Sequence, residues 1–303
     1  MGTPEFAVAS LRALVVNGYH LAAVVTAPDK PAGRGMQLKA SAVKEYALAA
    51  GLPVLQPEKL KDPAFVEQLK ELNADLQIVV AFRMLPEIVW NMPPMGTVNV
   101  HASLLPQFRG AAPINRAIMN GAAETGVTTF RLKHEIDTGN ILLQEKTTIA
   151  PEDDAGSLYQ RLMGMGAALL LQTIDGLANG SITERPQANV GSELAHAPKI
   201  FKEDCQIDWQ KTAKEAWNQV RGLSPYPAAF TSLEGKQLKI FKAAIGQECG
   251  ETAPGTVYTD GKSILRFACS DFWLAATDIQ YEGKKRMATT DFLRGFRLQK
   301  TIG

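Results

Sequence analysis

The chain has 303 residues, a net charge of +1, and ordinary shares of hydrophobic (46%) and charged (21%) residues. This is the make-up of a soluble globular protein long enough for two domains. It contains no run apolar enough to span a bilayer and no secretory leader pattern, and three widely spaced cysteines (Cys205, Cys249, Cys269) form no CxxC pair. The reading is therefore a cytoplasmic protein with free, structural thiols. Charge is uneven: from Lys199 onward 16 Lys and Arg face 12 Asp and Glu, a net of +4, against −3 for the remainder. That asymmetry hints at an anionic macromolecular partner for the second part, with chance variation the plainer reading.

In chain order, Thr3-Pro4-Glu5 starts a helix that Gly18 stops, and Leu21 to Thr26 is a buried strand. Pro28 to Gly35 is a loop by its Pro/Gly content. Ser41 caps a helix ending at Gly51, Asp62-Pro63 begins another, and Leu76 to Ala81 is a strand. Leu85 to Trp90 is a short helix and Gly96 to His101 a strand. Alternating strands and helices predict a doubly wound, mostly parallel sheet. Such a sheet normally has a central strand before its first turn and helix; either this fold does without it or the sequence begins late.

Gly110 to Met119 reads as a helix with Pro113 in its first turn, Gly126 to Leu132 and Ile141 to Ile149 as strands, and Asp153-Asp154 as the start of a helix reaching Leu177. Residues 1–182 form the first domain. Residues 183–198, polar with two prolines, form a linker, and residues 199–303 the second domain. There a helix at Thr212 to Arg221 precedes short β-like runs: Ala229 to Leu233, Leu238 to Ala244, Gly255 to Thr259, Ile264 to Cys269 and Trp273 to Tyr281. Glycine-containing turns separate them, which predicts a small antiparallel barrel. Arg221 to Pro227 is expected to be a structural turn with aromatic packing.

Alternate residues of a strand face one side, so Asn99 and His101 present an amide and an imidazole together. They lie where a parallel strand reaches its carboxyl end, the usual place for ligands in open α/β sheets. Asp137, before Gly139, supplies a carboxylate on a tight turn, although turn aspartates are common without any chemistry. Amide, imidazole and carboxylate together can stabilise an oxyanion, move a proton and orient the imidazole.

Asn99-Val-His101, Ser103-Leu-Leu-Pro106, Arg109-Gly-Ala-Ala-Pro-Ile114 and Asp137-Thr-Gly139 resemble the 10-formyltetrahydrofolate-dependent formyltransferase family. Gly2-Thr-Pro-Glu-Phe-Ala7 and Pro28 to Gly35 narrow the resemblance to the branch acting on initiator methionyl-tRNA. It spans essentially the whole chain. It implies a Rossmann-like catalytic domain followed by an OB-like β-barrel, a short apolar strand before the Gly-Thr-Pro-Glu-Phe motif, and a monomer. It implies formyl transfer from 10-formyltetrahydrofolate to the methionine α-amino group on initiator tRNA, without a metal. Asn99 would donate to the oxyanion, imidazolium His101 would stabilise it further, and Asp137 would hold His101 and help relay the amine proton. Ser103, Leu104, Leu105 and Pro106 would form the folate-side turn, and Phe82, Arg83, Met84 and Leu85 would line the pterin pocket. Tyr-Gly is expected in place of Phe82-Arg83, and aspartate in place of Asn140. Lys30, Arg34 and Lys39 would reach the tRNA acceptor end, and Lys199, Lys202, Lys284, Lys285 and Arg286 would face RNA from the second domain. Two other readings stay open. One is a formyltransferase of the same superfamily acting on a small amine such as an amino sugar or glycinamide ribonucleotide; the other is a non-catalytic RNA-binding protein on this scaffold.

Overall fold

The structure is a computed structural model and describes residues 1–32, 37–187 and 194–297. Its strands are β1 (Val24–Val25), β2 (Lys30–Ala32), β3 (Gln37–Lys39), β4 (Val54–Leu55), β5 (Gln77–Val80), β6 (Thr97–His101), β7 (Arg109–Gly110), β8 (Glu124–Arg131), β9 (Ile141–Thr148), β10 (His196–Ala197), β11 (Ala229–Leu233), β12 (Lys236–Glu248), β13 (Val257–Thr259), β14 (Leu265–Ala268), β15 (Phe272–Tyr281) and β16 (Met287–Ala288). Its helices are α1 (Glu5–Val16), α2 (Ala42–Ala49), α3 (Pro63–Glu71), α4 (Glu87–Trp90), α5 (Pro113–Met119), α6 (Ala155–Ala178), α7 (Ala213–Leu223) and α8 (Thr289–Arg294). They divide between two compact units.

The first unit comprises Met1–Gly110, Thr125–Thr147 and Tyr159–Ala195. Its main sheet runs β5-β6-β8-β9, with β5 and β6 parallel and β8 antiparallel to β6. β1 and β4 form a separate parallel pair. Gly2 links the two: its N–H donates to Val25 O, and it bridges Val80 in the parallel sense. Only glycine fits there, because a Cβ would lie 2.5 Å from Ala7 Cβ and 2.9 Å from Val80 O. The strand expected over Leu21 to Thr26 shortens to Val24–Val25.

Helices cover both faces of the sheet, as a doubly wound arrangement requires. On one face Gly166 of α6 sits against Val100 and Phe6. On the other, Val79 packs with Phe65 and Leu69 of α3 and Val89 of α4. Sequence signals account for the helix ends. Ser41 accepts from Lys44 N and Asp62 from Ala64 N, while Gly18 and Gly51 take the positive φ that ends α1 and α2.

The second unit comprises Ala111–Glu124, Thr148–Leu158 and the described residues from His196 onward. Its sheet is antiparallel, in the order β11-β12-β15-β14-β13, with β16 on β15. Register shifts in β12 between Ile240 and Ala243 curl it into a half-barrel. The curled face closes over Leu238, Ile240, Leu265, Phe267, Leu274 and Ile279, with Leu223 of α7 and Phe292 of α8. A capping box between Thr212 and Glu215 starts α7. The turn after α7 departs from its expected aromatic packing, since Tyr226 is 83% exposed. All three cysteines are free and buried. Among the described residues, no helix is long and apolar enough to cross a membrane.

Candidate active site

β5 and β6 run parallel, so the Ala81–Leu85 loop and the His101–Pro106 segment leave the sheet at the same carboxyl edge. Asn99 pairs in register with Val79, so Asn99 and His101 share Val79's face. Asn99 is half-buried, and its side-chain amide makes no hydrogen bond to the described residues. It is a donor held on a rigid strand and left unspent.

His101 is buried, and its ring packs edge-on to Phe130 with centroids 6.4 Å apart. Nε2 lies 2.9 Å from Phe108 O. A carbonyl only accepts, which places a proton on Nε2 and leaves Nδ1 as the nitrogen available for chemistry. Nδ1 faces Asp137 Oδ2 at 3.9 Å, too far for a direct hydrogen bond but close enough for charge stabilisation. Asp137 Oδ2 in turn accepts from Gly110 N at 2.9 Å. The structure therefore brings His101 and Asp137 together, while the imidazole is aimed from its far side by a backbone carbonyl.

That carbonyl belongs to a residue with φ 59°, and Asp137 itself has φ 54°. Of the six described non-glycine residues with positive φ, these two and Ala81, which opens the loop after β5, all belong to this site. Each such conformation costs on the order of 1–3 kcal/mol and persists only where surrounding contacts enforce it. The enforcing contacts are visible. Phe108 N donates to Ala195 O, Gln187 Nε2 donates to both Asp137 O and Gly139 O at 2.8 Å, and Arg109 holds Gln187 Oε1. Gly139 lies so close to Arg131 that a Cβ would sit 1.5 Å from its carbonyl oxygen.

The Ser103–Pro106 turn is locked from beneath. Ser103 Oγ donates to Gln107 O, Thr128 Oγ1 donates to Ser103 O, Leu105 N donates to Thr128 Oγ1, and Gln144 Nε2 donates to Leu105 O. Leu105 packs with Phe130 and Ile141. Ser103 and Leu105 thus spend their side chains internally, and half-buried Leu104 and Pro106 are the open members. In the other loop, Leu85 is core and Phe82 packs against that core, while Met84 is 76% exposed. Arg83 donates to Pro57 O and Glu58 O, which ties the loop down. Asn140 accepts from Lys133 Nζ and donates to Glu184, a bridge an aspartate could not make because it has no donor. Burial alone would raise the Glu184 carboxyl, but hydrogen bonds from Arg131 and Asn140 hold it below the usual carboxylate range. A groove of about 740 Å³ along β4 and α3, lined by Gln56, Phe65 and Gln68 among others, meets this set only at Pro57, which anchors Arg83. Among the described residues, no cluster of His, Cys, Asp and Glu can hold a metal ion.

The basic residues fall in separate places. Arg34 lies outside the described residues. Lys30 and Lys39 are directly opposed across the β2–β3 hairpin and exposed, with Asp29 drawn off by Lys44 and Gln56. Lys199 lies 5.5 Å from the Phe201 ring, and Lys202 is exposed beside it. Lys284 lies 5.5 Å from the Phe292 ring, and Lys285 is exposed. Arg286 is engaged: it pairs with Asp278 at 2.6 Å and stacks on Phe241.

Residues 1–174 match the family model described as formyl transferase, and residues 199–297 match its C-terminal domain. The chain belongs to the formyl transferase family. Among curated members of the family, one named methionyl-tRNA formyltransferase from Parabacteroides distasonis is 56% identical over 314 residues, covering 100% of this chain and 97% of that one. A protein of the same name from Flavobacterium johnsoniae is 47% identical, covering 97% and 94%. Among solved structures, an N-formyltransferase from Helicobacter canadensis in complex with folinic acid and dTDP-3-aminofucose shares the fold. Its TM-score is 0.66 at 22% identity, covering 92% of this chain and 97% of that one.

The supports were not legible in advance. No sequence signal marks Phe108 as an acceptor, because it acts through its backbone carbonyl, or Thr128, Gln144 and Gln187 as braces, because each acts through a contact distant in sequence. Asp137 and Gly139 did carry a signal, since aspartate tolerates the left-handed region and glycine fits the close approach.

Proposed function

We propose that this chain transfers a formyl group from 10-formyltetrahydrofolate to the α-amino group of methionine on initiator tRNA. The observation that carries the proposal is 56% identity along the whole chain to a relative named methionyl-tRNA formyltransferase. The site is consistent with that chemistry. The amine attacks the formyl carbon and the carbonyl oxygen becomes an oxyanion. Asn99 donates its free amide to that oxygen, a contact of a kind worth roughly 2.7–4 kcal/mol in the transition state. His101, its Nε2–H fixed on Phe108 O, stabilises the developing charge from its Nδ1 side. The Asp137 carboxylate, 3.9 Å from Nδ1, accepts the amine proton through an intervening water. That proton passes on to N10 as the C–N10 bond breaks, which restores the carbonyl and releases tetrahydrofolate.

In this reading the donor's ring system lies against Phe82, Met84, Leu104 and Pro106, while Arg83, Leu85, Ser103 and Leu105 shape that wall from behind. Residues 1–182 form the catalytic domain, and residues 199–303 hold the tRNA. Lys30 and Lys39 support acceptor-end binding: like charges opposed across a hairpin are unfavourable alone and favourable beside phosphates. The test is a formylation assay with 10-formyltetrahydrofolate and charged initiator tRNA, set beside a small amino-sugar amine. Formylmethionyl-tRNA as the preferred product is expected; preference for the small amine overturns the tRNA assignment.

A further inference from the structure

The geometry points to a built phosphate-binding position at Arg266, on the outer face of the second unit's sheet. The guanidinium carbon lies 4.3 Å from the Tyr258 ring centroid and 4.5 Å from that of Trp273. Two aromatic rings therefore hold the cation, and the N–H groups in its plane are what it has left to offer. Arg266 has no ion pair and no hydrogen bond among the described residues, and its Nε is buried without a partner. That Nε is out of an incoming anion's reach, so the terminal N–H groups, which are not buried, are the ones an anion meets.

The other arginines of this unit set the contrast. Arg116 pairs with Asp204, Arg286 with Asp278 and Arg294 with Asp291. Arg221 also stacks on an aromatic ring, Trp217, but gives its N–H groups to Ala150 O, Asp153 O and Asn218. Arg297 also has no partner among the described residues, but no ring or hydrogen bond holds it there. Arg266 alone among them is both held in place and uncommitted.

The register shows what surrounds it. Leu265 and Phe267 point into the core, so Arg266 lies on the opposite face. The row across the sheet runs Tyr258, Arg266, Ala275, Ala244. Beside the clamp, the row holds two alanines and no carboxylate. A flat strip of small side chains next to an oriented guanidinium and a 39%-exposed tyrosine suits a sugar-phosphate backbone. The occupant is a backbone phosphate of the RNA substrate. This choice of ligand rests on the proposed function.

The test measures binding of uncharged initiator tRNA across a salt series by wild type, Arg266→Gln and Ala244→Glu. Each phosphate contact contributes about 0.9 to the slope of log affinity against log salt. Arg266→Gln is expected to bind about fivefold to tenfold more weakly at low salt, with a slope shallower by about that amount. Ala244→Glu puts a carboxylate on an exposed position of the same row and leaves the clamp intact, so it is expected to weaken binding likewise. It decides the matter if Arg266→Gln does not fold. Unchanged affinity in either folded variant, or weaker binding by Arg266→Gln with an unchanged slope, overturns the assignment. Salt-dependent tRNA binding by a wild type that forms no formylmethionyl-tRNA overturns the proposed function and leaves the Arg266 contact standing.

Discussion

At the carboxyl edge of the first unit's sheet, the candidate reacting groups are positioned by hydrogen bonds. Phe108 O holds His101, Gly110 N holds Asp137, and Gln187 holds the turn that carries Asp137. On the second unit's sheet, cations are positioned by rings: Arg266 between Tyr258 and Trp273, and Lys284 near Phe292. The two devices suit two tasks. Hydrogen bonds fix an atom to a fraction of an ångström, as transition-state stabilisation demands. Cation–π contacts fix a charge without neutralising it, as binding a polyanion demands. The first unit therefore stores strain, in Phe108, Asp137 and Ala81, and the second leaves charge unspent.

Breaking the first device has the largest expected effect. His101→Ala lowers kcat for formylmethionyl-tRNA formation by about 10²–10³-fold, the range for loss of one preorganised stabilising group, with tRNA KM nearly unchanged. Gly139→Ala forces a Cβ onto Arg131 O and disrupts the Asp137 turn. A stability loss of about 3 kcal/mol, at the upper end of ordinary single substitutions, is expected by denaturant unfolding. Gln187→Ala removes two hydrogen bonds to that turn and is expected to cost about 1–2 kcal/mol of stability. Its kcat should fall by roughly tenfold, since a positioning contact is lost while the reacting groups remain.

The cations proposed to face RNA give smaller effects, ranked by whether an acidic partner already engages them. Lys39→Gln is expected to raise tRNA KM about threefold at low salt. Arg286→Gln, whose charge Asp278 already offsets, is expected to change it by less than about twofold. The smallest effect concerns the buried thiols. Burial pushes the Cys269 thiol from 9.0 up to about 12. Its folded pKa is raised, so its contribution to stability is fully present below pH 9 and is lost as pH rises from 9 towards 12. Thiol labelling at pH 8 should be negligible in the native state and reach three groups after unfolding.

Much of the fold was legible, because hydrophobic period, caps and turn glycines are local signals. Ser41, Asp62 and Thr212 marked their helices, and β11 fell where its β-branched and aromatic residues predict. Lengths were less legible: β1 has two residues where six were expected, because the apolar residues before Val24 do not pair. At the candidate site, Asn99, His101 and Asp137 could be seen as types in a pattern, but their supports could not. Phe108 acts through its carbonyl, and Gln187 from 50 residues away. Charge was legible as composition only. Nothing in the sequence distinguishes Arg286, which Asp278 holds, from Arg266, which two rings hold.

In the proposed reaction Asn99 and His101 act together on a formyl group, with Asn99 as the unspent oxyanion donor. Single-turnover formylation of charged initiator tRNA by saturating enzyme, wild type against Asn99→Ala, tests it most directly, because binding and product release drop out. A chemical step slower by about 10²–10³-fold, with unchanged tRNA affinity, is the predicted result. Equal single-turnover rates in the two proteins would contradict it.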